Sequence, residues 1–261
     1  MKKFPLALWA ISALVLVALW LYLTPPGLLG KADAIGYAVC ARNPAHSFFF
    51  GLRQMPLCAR CTGMHAALML TLLTLWVAYP RRAGLPPRGI QIALALFALA
   101  FVADGANSWM SAYLGRAWLY TPTNTLRLLS GLGMGTAMGA ILYPIANQTL
   151  WEQSDSRRIL GPKGFVALLT AIAAAGALIL SKNPLILFSV ALLSAADVLF
   201  ALTLIYTLFV ATLLGREAAA ACLSDLKLPI ALGATMAFLQ IALFDILRFA
   251  LTHTWGYFPP K

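Results

Sequence analysis

Seven long apolar runs, separated by short polar loops, constrain this chain more than any other feature. They cover residues 5–24, 62–80, 90–114, 124–148, 164–181, 185–213 and 228–252. About 20 residues at 1.5 Å rise cross the hydrocarbon core of a bilayer, so runs of this length read as spanning helices. The spans must be helical, because a helix satisfies its own backbone hydrogen bonds where no water is present. The expected fold is therefore all-α: a polytopic helical membrane protein of about seven spans, with residues 1–261 forming a single membrane domain.

Composition supports this and narrows the function. Of 261 residues, 61% are hydrophobic and only 10% are charged, against about 25% charged in an average soluble domain. The net charge of +11 would suggest a nucleic-acid partner in a soluble protein. Here the basic residues gather in short loops, where they fix orientation and meet anionic headgroups. No basic stretch has the interleaved aromatics that nucleic-acid binding needs, so the expected partners are membrane lipids and not nucleic acid.

Met1 to Lys3 is a short basic start, and the run 5–24 reads as a retained signal anchor ended by Thr24-Pro25-Pro26-Gly27. Seven spans put the termini on opposite sides. The loops on the N-terminal side (the start, 81–89, 149–163 and 214–227) hold ten Lys or Arg, and the other side holds seven. By the positive-inside rule the N-terminus is cytoplasmic in a cell inner or plasma membrane. Residues 25–61 then form an outward-facing Cys/His loop. His253, Trp255 and Tyr257 suit the far interface. In the fourth span Gly131, Gly135 and Gly139 recur every four residues, a pattern that lets two helix backbones approach closely. Packing within the chain is the first reading, and a homodimer contact is the alternative.

The loop carries the chemistry. Cys40-Ala-Arg-Asn-Pro-Ala-His46 is followed by a Ser47-Phe48-Phe49-Phe50 run, then by Cys58-Ala59-Arg60-Cys61 at a helix start and His65 one turn later. The aromatic run is too short to span and reads as a re-entrant or interfacial piece, with packing beneath the loop as the alternative. Three cysteines and a histidine make a common four-coordinate zinc set. Cys40, Cys58 and Cys61 are the expected ligands of zinc or iron, with His65 and His46 competing for the fourth place. Arg42, Arg53, Arg60 and the helix N-terminus would favour thiolates. The other readings are a redox-active Cys58–Cys61 disulfide and a structural bridge. Cys222 falls on the opposite face.

Ionisable groups inside a bilayer are costly unless paired or hydrated, so their gathering at one depth reads as a site. On the expected topology Asp104 and Asn107, Asn124 and Arg127, and Asp245 and Arg248 all lie toward the cysteine face. Asp104 is the expected acid/base or an added ligand, paired with Arg127, Arg248 or a metal. Asn107, Asn124, Arg127 and Arg248 are candidate substrate-binding residues. Arg127 could instead snorkel to headgroups, and Asp245 and Arg248 could neutralise each other. Asp197 lies in mid-membrane with no partner on its own helix.

At these residues the chain resembles a family of uncharacterised bacterial and archaeal integral membrane proteins. The likeness lies in Cys40, Pro44, Ser47 and Phe48, then in the block Gln54, Pro56, Cys58, Ala59, Arg60, Cys61, Thr62 and Gly63. It continues through Asp104, Thr123, Asn124, Arg127 and Gly131, and spans roughly 37–139. The chain departs from the family pattern in having Ala41 and His65 where the family often has a histidine and a tyrosine. The resemblance implies a membrane protein and no particular activity.

From the residues, the expected function is a metal-dependent enzyme acting on a lipid-phase or phosphate-bearing headgroup-level substrate. A thiol-disulfide/quinone oxidoreductase and a transporter using buried carboxylates are the alternatives.

Overall fold

In the computed structural model, residues 6–256 are described; the basic start at Met1 to Lys3 and Tyr257 lie outside them. The described residues form eight α-helices: α1 Leu6–Leu23, α2 Gly27–Val39, α3 Ala59–Ala78, α4 Arg88–Tyr113, α5 Asn124–Leu150, α6 Pro162–Leu180, α7 Pro184–Leu213 and α8 Lys227–Thr252. Among the described residues six helices, α3 to α8, are long and apolar enough to cross a membrane. Their ends fall within three residues of the apolar runs that foretold them.

The ends have local causes. Thr123 accepts a hydrogen bond from the Leu126 N–H, and Asn183 accepts one from Leu185, capping α5 and α7. Pro162 and Pro184 open α6 and α7, where a missing N–H costs nothing.

The start of the chain differs from expectation. Residues 25–61 are not one loop, because α2 occupies their first third. Pro25 and Pro26 break the helix there, and α1 and α2 meet at 107°. A seventh crossing exists only if this bent pair is counted as one span. Trp20 fixes α1 to α8 by donating from Nε1 to Asp245 Oδ2 at 2.8 Å. The aromatic run Ser47–Phe50 also differs. Phe49–Phe50 pairs antiparallel with Arg53–Gln54 as a small hairpin (β1 and β2) around Gly51, whose φ of +61° favours glycine. Phe48 is buried in the core while Phe49 is exposed, so the run is split between packing and surface.

The closest helix pair is α3 against α5. A Cβ on Gly63 would sit 2.5 Å from the Leu128 carbonyl oxygen, and one on Gly139 would sit 2.8 Å from Thr71 Cβ. Cβ atoms on Gly131 and Gly135 would strike the carbonyls of Arg60 and Met64. The glycine stripe therefore packs within the chain. The homodimer alternative is corrected, since α3 covers that face.

At the end of the bundle away from the cysteine loop, two short strands pair in parallel (β3 Arg82–Gly84 and β4 Asp155–Arg158). Arg81 stacks there on Trp151, 4.4 Å from the ring centroid. The double-Arg turns thus share one end of the bundle.

Candidate metal centre

Two helix ends bring the thiols together. Cys40 is the C-cap of α2 and Cys58 the N-cap of α3, both with extended backbone, and Cys61 lies in the first turn of α3. Their sulfur atoms all lie within 4.8 Å of one another. All three are free thiols; Cys40 is buried, and Cys58 and Cys61 are half-buried. Cys222 is exposed at the opposite end of the bundle and takes no part.

Cys40 is prepared as the thiolate of the trio. Its Sγ accepts from the backbone N–H groups of Arg42 and Cys58, each at 3.4 Å. Hydrogen bonds from the thiols of Cys58 and Cys61, followed by these N–H groups, hold its pKa well below the usual thiol value against the cost of burial. The Cys58 thiol, which donates to that thiolate, is pushed up to about 12.

The loop around Cys40 is pinned from α8. Arg248 donates from Nη1 to the carbonyls of Tyr37 and Cys40, both at 2.6 Å, and from Nη2 to Ala41 at 3.0 Å. Its guanidinium lies 3.8 Å from the Tyr37 ring centroid. This is a scaffolding duty where substrate binding was expected. Asp245 turns to Trp20 instead. Arg42 and Arg53 share Asp33 of α2, at 2.9 and 2.7 Å. Gln54 ties the loop to itself, donating to the Arg42 carbonyl at 2.7 Å and to Ser47 Oγ at 2.9 Å.

Asp104 is wholly engaged. Its Oδ2 accepts from Arg60 Nε at 2.9 Å and Nη2 at 2.5 Å, and from Ser130 at 3.1 Å; its Oδ1 accepts from the Tyr120 hydroxyl at 2.6 Å. The partner is thus Arg60, inside the cysteine motif, and not Arg127 or Arg248 as expected. Burial and this bond raise Tyr120 to about 12. Asn107 is fully buried and holds the loop between α4 and α5: its Oδ1 accepts from the N–H groups of Trp118 and Leu119, and its Nδ2 donates to the Tyr120 carbonyl. Its amide, expected to bind substrate, is thus engaged on both atoms within the chain.

Neither histidine joins the thiol group. His65 lies one turn deeper and points to α7, its Nδ1 2.8 Å from Asp197 Oδ2. Asp197, left without a partner by its own helix, finds one here and is 0% exposed. His46 closes the 3-10 turn Pro44–His46. Burial first, then the charges of Arg127 and Arg60, lower its pKa to about 4.

Residues 40–141 match the model of one protein family, described as a predicted membrane protein (DUF2085). The resemblance carried by the cysteine block is thereby found again over nearly the same stretch. No curated protein and no solved structure matches the chain. The matched stretch runs from Cys40 into α5, so it includes all three clustered thiols, Asp104 and Arg127, while Asp197 and Arg248 lie beyond it. Within it, Gly63 serves helix contact and Gln54 serves loop closure, so much of the motif is scaffold for the thiols.

Sequence reasoning missed α2, Asp33, Trp20, Tyr120 and Ser130. The spacing of Gly30, Ala34 and Ala32, Gly36 signalled a close-packed helix, but Lys31 and Asp33 between them masked it.

Proposed function

We propose that this chain is a metal-dependent membrane enzyme in which Cys40, Cys58 and Cys61 hold one zinc or iron ion, and which acts on a lipid-phase or headgroup-level substrate. The observation that carries this is the convergence of three thiols within 4.8 Å. Tetrahedral ligation with metal–sulfur bonds of about 2.3 Å separates sulfurs by about 3.8 Å, which that limit accommodates. The N–H groups aimed at Cys40 Sγ and the nearby guanidiniums suit a thiolate set. Three protein ligands leave a position for a further ligand, the arrangement of a catalytic rather than a closed structural site. A bound ion would supply Lewis acidity at that position. The basic turns at the other end of the bundle favour an extracytoplasmic thiol site and, with the bent pair of α1 and α2 as a seventh crossing, a cytoplasmic N-terminus.

Metal analysis of protein purified in mild detergent tests this. One equivalent of metal per chain is expected in the wild type and in Cys222→Ser, and none in Cys58→Ser. Metal-free wild type with a Cys58–Cys61 disulfide that cycles with quinone would favour the oxidoreductase reading instead. The transporter reading has less support, because Asp104, Asp197 and Asp245 each meet a side-chain partner.

A further inference from the structure

Five arginines stand around the thiols, and four are well engaged. Arg42 and Arg53 bind Asp33, Arg60 binds Asp104, and Arg248 binds backbone carbonyls. Arg127 is different. It is only 6% exposed, and its one side-chain hydrogen bond goes to a neutral amide, Nη1 to Asn124 Oδ1 at 2.9 Å. Its Nε is buried and has no partner. The carboxylate in its field, Asp104, is already taken by Arg60, Tyr120 and Ser130. Asn124 spends its own donor on the Ser47 carbonyl at 3.2 Å.

A buried, under-partnered guanidinium is costly and persists where something else completes it. The surroundings point to an anion. Arg127 lies one turn inside the N-terminus of α5, where the helix dipole is positive. The charges of Arg127 and Arg60 add to burial, the larger cause, in lowering the pKa of His46 to about 4. Arg60 and Arg127 together exceed Asp104 by one positive charge, Arg42 and Arg53 exceed Asp33 by one, and Arg248 is offset by Asp245. A divalent ion on three thiolates carries one negative charge, which leaves one cation unbalanced.

We infer that Arg127 anchors an anion subsite beside the thiols, and that its ligand is a phosphate oxyanion, either free or in a lipid headgroup. The unused Nε and Nη2 donors form one edge of a guanidinium, and such an edge matches two phosphate oxygens. The charge count rests on the metal reading above; the geometry of Arg127 does not.

The test uses full-length protein in neutral detergent, zinc-loaded and chelator-treated, with two probes: inorganic phosphate and short-chain phosphatidic acid. Short-chain diacylglycerol, which lacks the phosphate, is the control. Thermal midpoints and equilibrium binding of labelled probe are read. The wild type should bind a phosphate-bearing probe and be stabilised by it. Arg127→Gln should bind at least tenfold more weakly, while Arg116→Gln, at an exposed position, should bind as wild type does. Without probe, Arg127→Gln should melt no lower than wild type, because it removes an unbalanced buried cation. A response to free phosphate identifies a soluble source, and one to phosphatidic acid alone a headgroup source; both support the subsite. Equal binding by wild type and Arg127→Gln, or no binding by wild type, overturns it. Should Arg127→Gln fail to fold, Arg127→Lys keeps the charge and loses the edge; unweakened phosphate binding by that variant also overturns it. Zinc lost in Cys58→Ser with phosphate binding retained separates the two sites. Phosphate binding by a wild type that takes up no metal would sink the metal reading and leave this one standing.

Discussion

Arg60 and Asp104, 44 residues apart, are joined by two N–H donors on one carboxylate oxygen, at 2.9 and 2.5 Å. Arg60 lies between Cys58 and Cys61, so this bond ties the cysteine-bearing turn of α3 to the second half of α4. The Asp104 side chain is 2% exposed. Removing one partner of a buried ion pair leaves the other uncompensated, at a cost of about 3–5 kcal/mol. Asp104→Asn is therefore expected to lower the thermal midpoint sharply. Arg60→Met with Asp104→Leu should cost less than the two single changes added together, as a double-mutant cycle in detergent will measure. Strict additivity would mean that the pair is not coupled.

Arg248 reaches from α8 to the carbonyls of Tyr37 and Cys40. It fixes the loop that aims Cys40. Partners that orient ligands typically contribute 10–100-fold to metal affinity. Arg248→Gln should weaken zinc binding by about that factor while helical content, read by circular dichroism, stays near wild type. Unchanged affinity would remove Arg248 from the site.

Gly63 and Gly89 make a matched pair of probes. A Cβ at Gly63 meets the Leu128 carbonyl at 2.5 Å, whereas one at Gly89 meets nothing. Overpacking typically costs about 1–3 kcal/mol, and more where backbone must move. Gly63→Ala should destabilise by at least that much, because α3 and α5 must separate. Gly89→Ala, near the start of α4, should be neutral or stabilising by about 0.4–1 kcal/mol. Equal midpoints for the two variants would contradict the close α3–α5 contact.

The spans were legible because hydropathy is contiguous along the chain, and Asn183-Pro184 or Thr123-Asn124 mark their starts. The thiol trio was legible because Cys58 and Cys61 flank a helix start and Cys40 has chain enough to fold back. Pairings between helices were not. His65 and Asp197 are 132 residues apart, and no local period links them. Asp104 stands out in the sequence as a buried charge in need of a partner, yet Arg60, between two cysteines, reads there as a neighbour of thiolates. Helix α2 was hidden because its buried face is built of Gly and Ala, which bury little apolar area and leave Lys31 and Asp33 to dominate the pattern.

His46 gives stability a pH dependence of known sign. Its folded pKa is about 4, against 6.5 for an ordinary histidine. Above pH 6.5 both states are neutral and nothing is lost. As pH falls from 6.5 toward 4, the unfolded chain takes up a proton that the folded chain refuses, so stability declines. Below 4 both are protonated and the loss levels off. His46→Gln should flatten this part of the thermal-midpoint profile between pH 7 and 4.5. An imidazole that titrates near 6.5 by NMR would refute the assignment.

The thiol trio and Cys222 lie at opposite ends of the bundle, because five crossings separate the start of α3 from the loop after α7. A membrane-impermeant maleimide can therefore place the site. Cys222 is exposed and should react in inside-out vesicles but not in intact cells. After chelation the trio should behave in the opposite way. The result also bears on chemistry. An extracytoplasmic compartment is oxidising, so three unliganded thiols within 4.8 Å would be exposed there to disulfide formation, and a bound ion would protect them. If the trio instead reacts only from the cytoplasmic side, the reducing environment alone keeps it free, and the thiols need no resident metal to stay reduced.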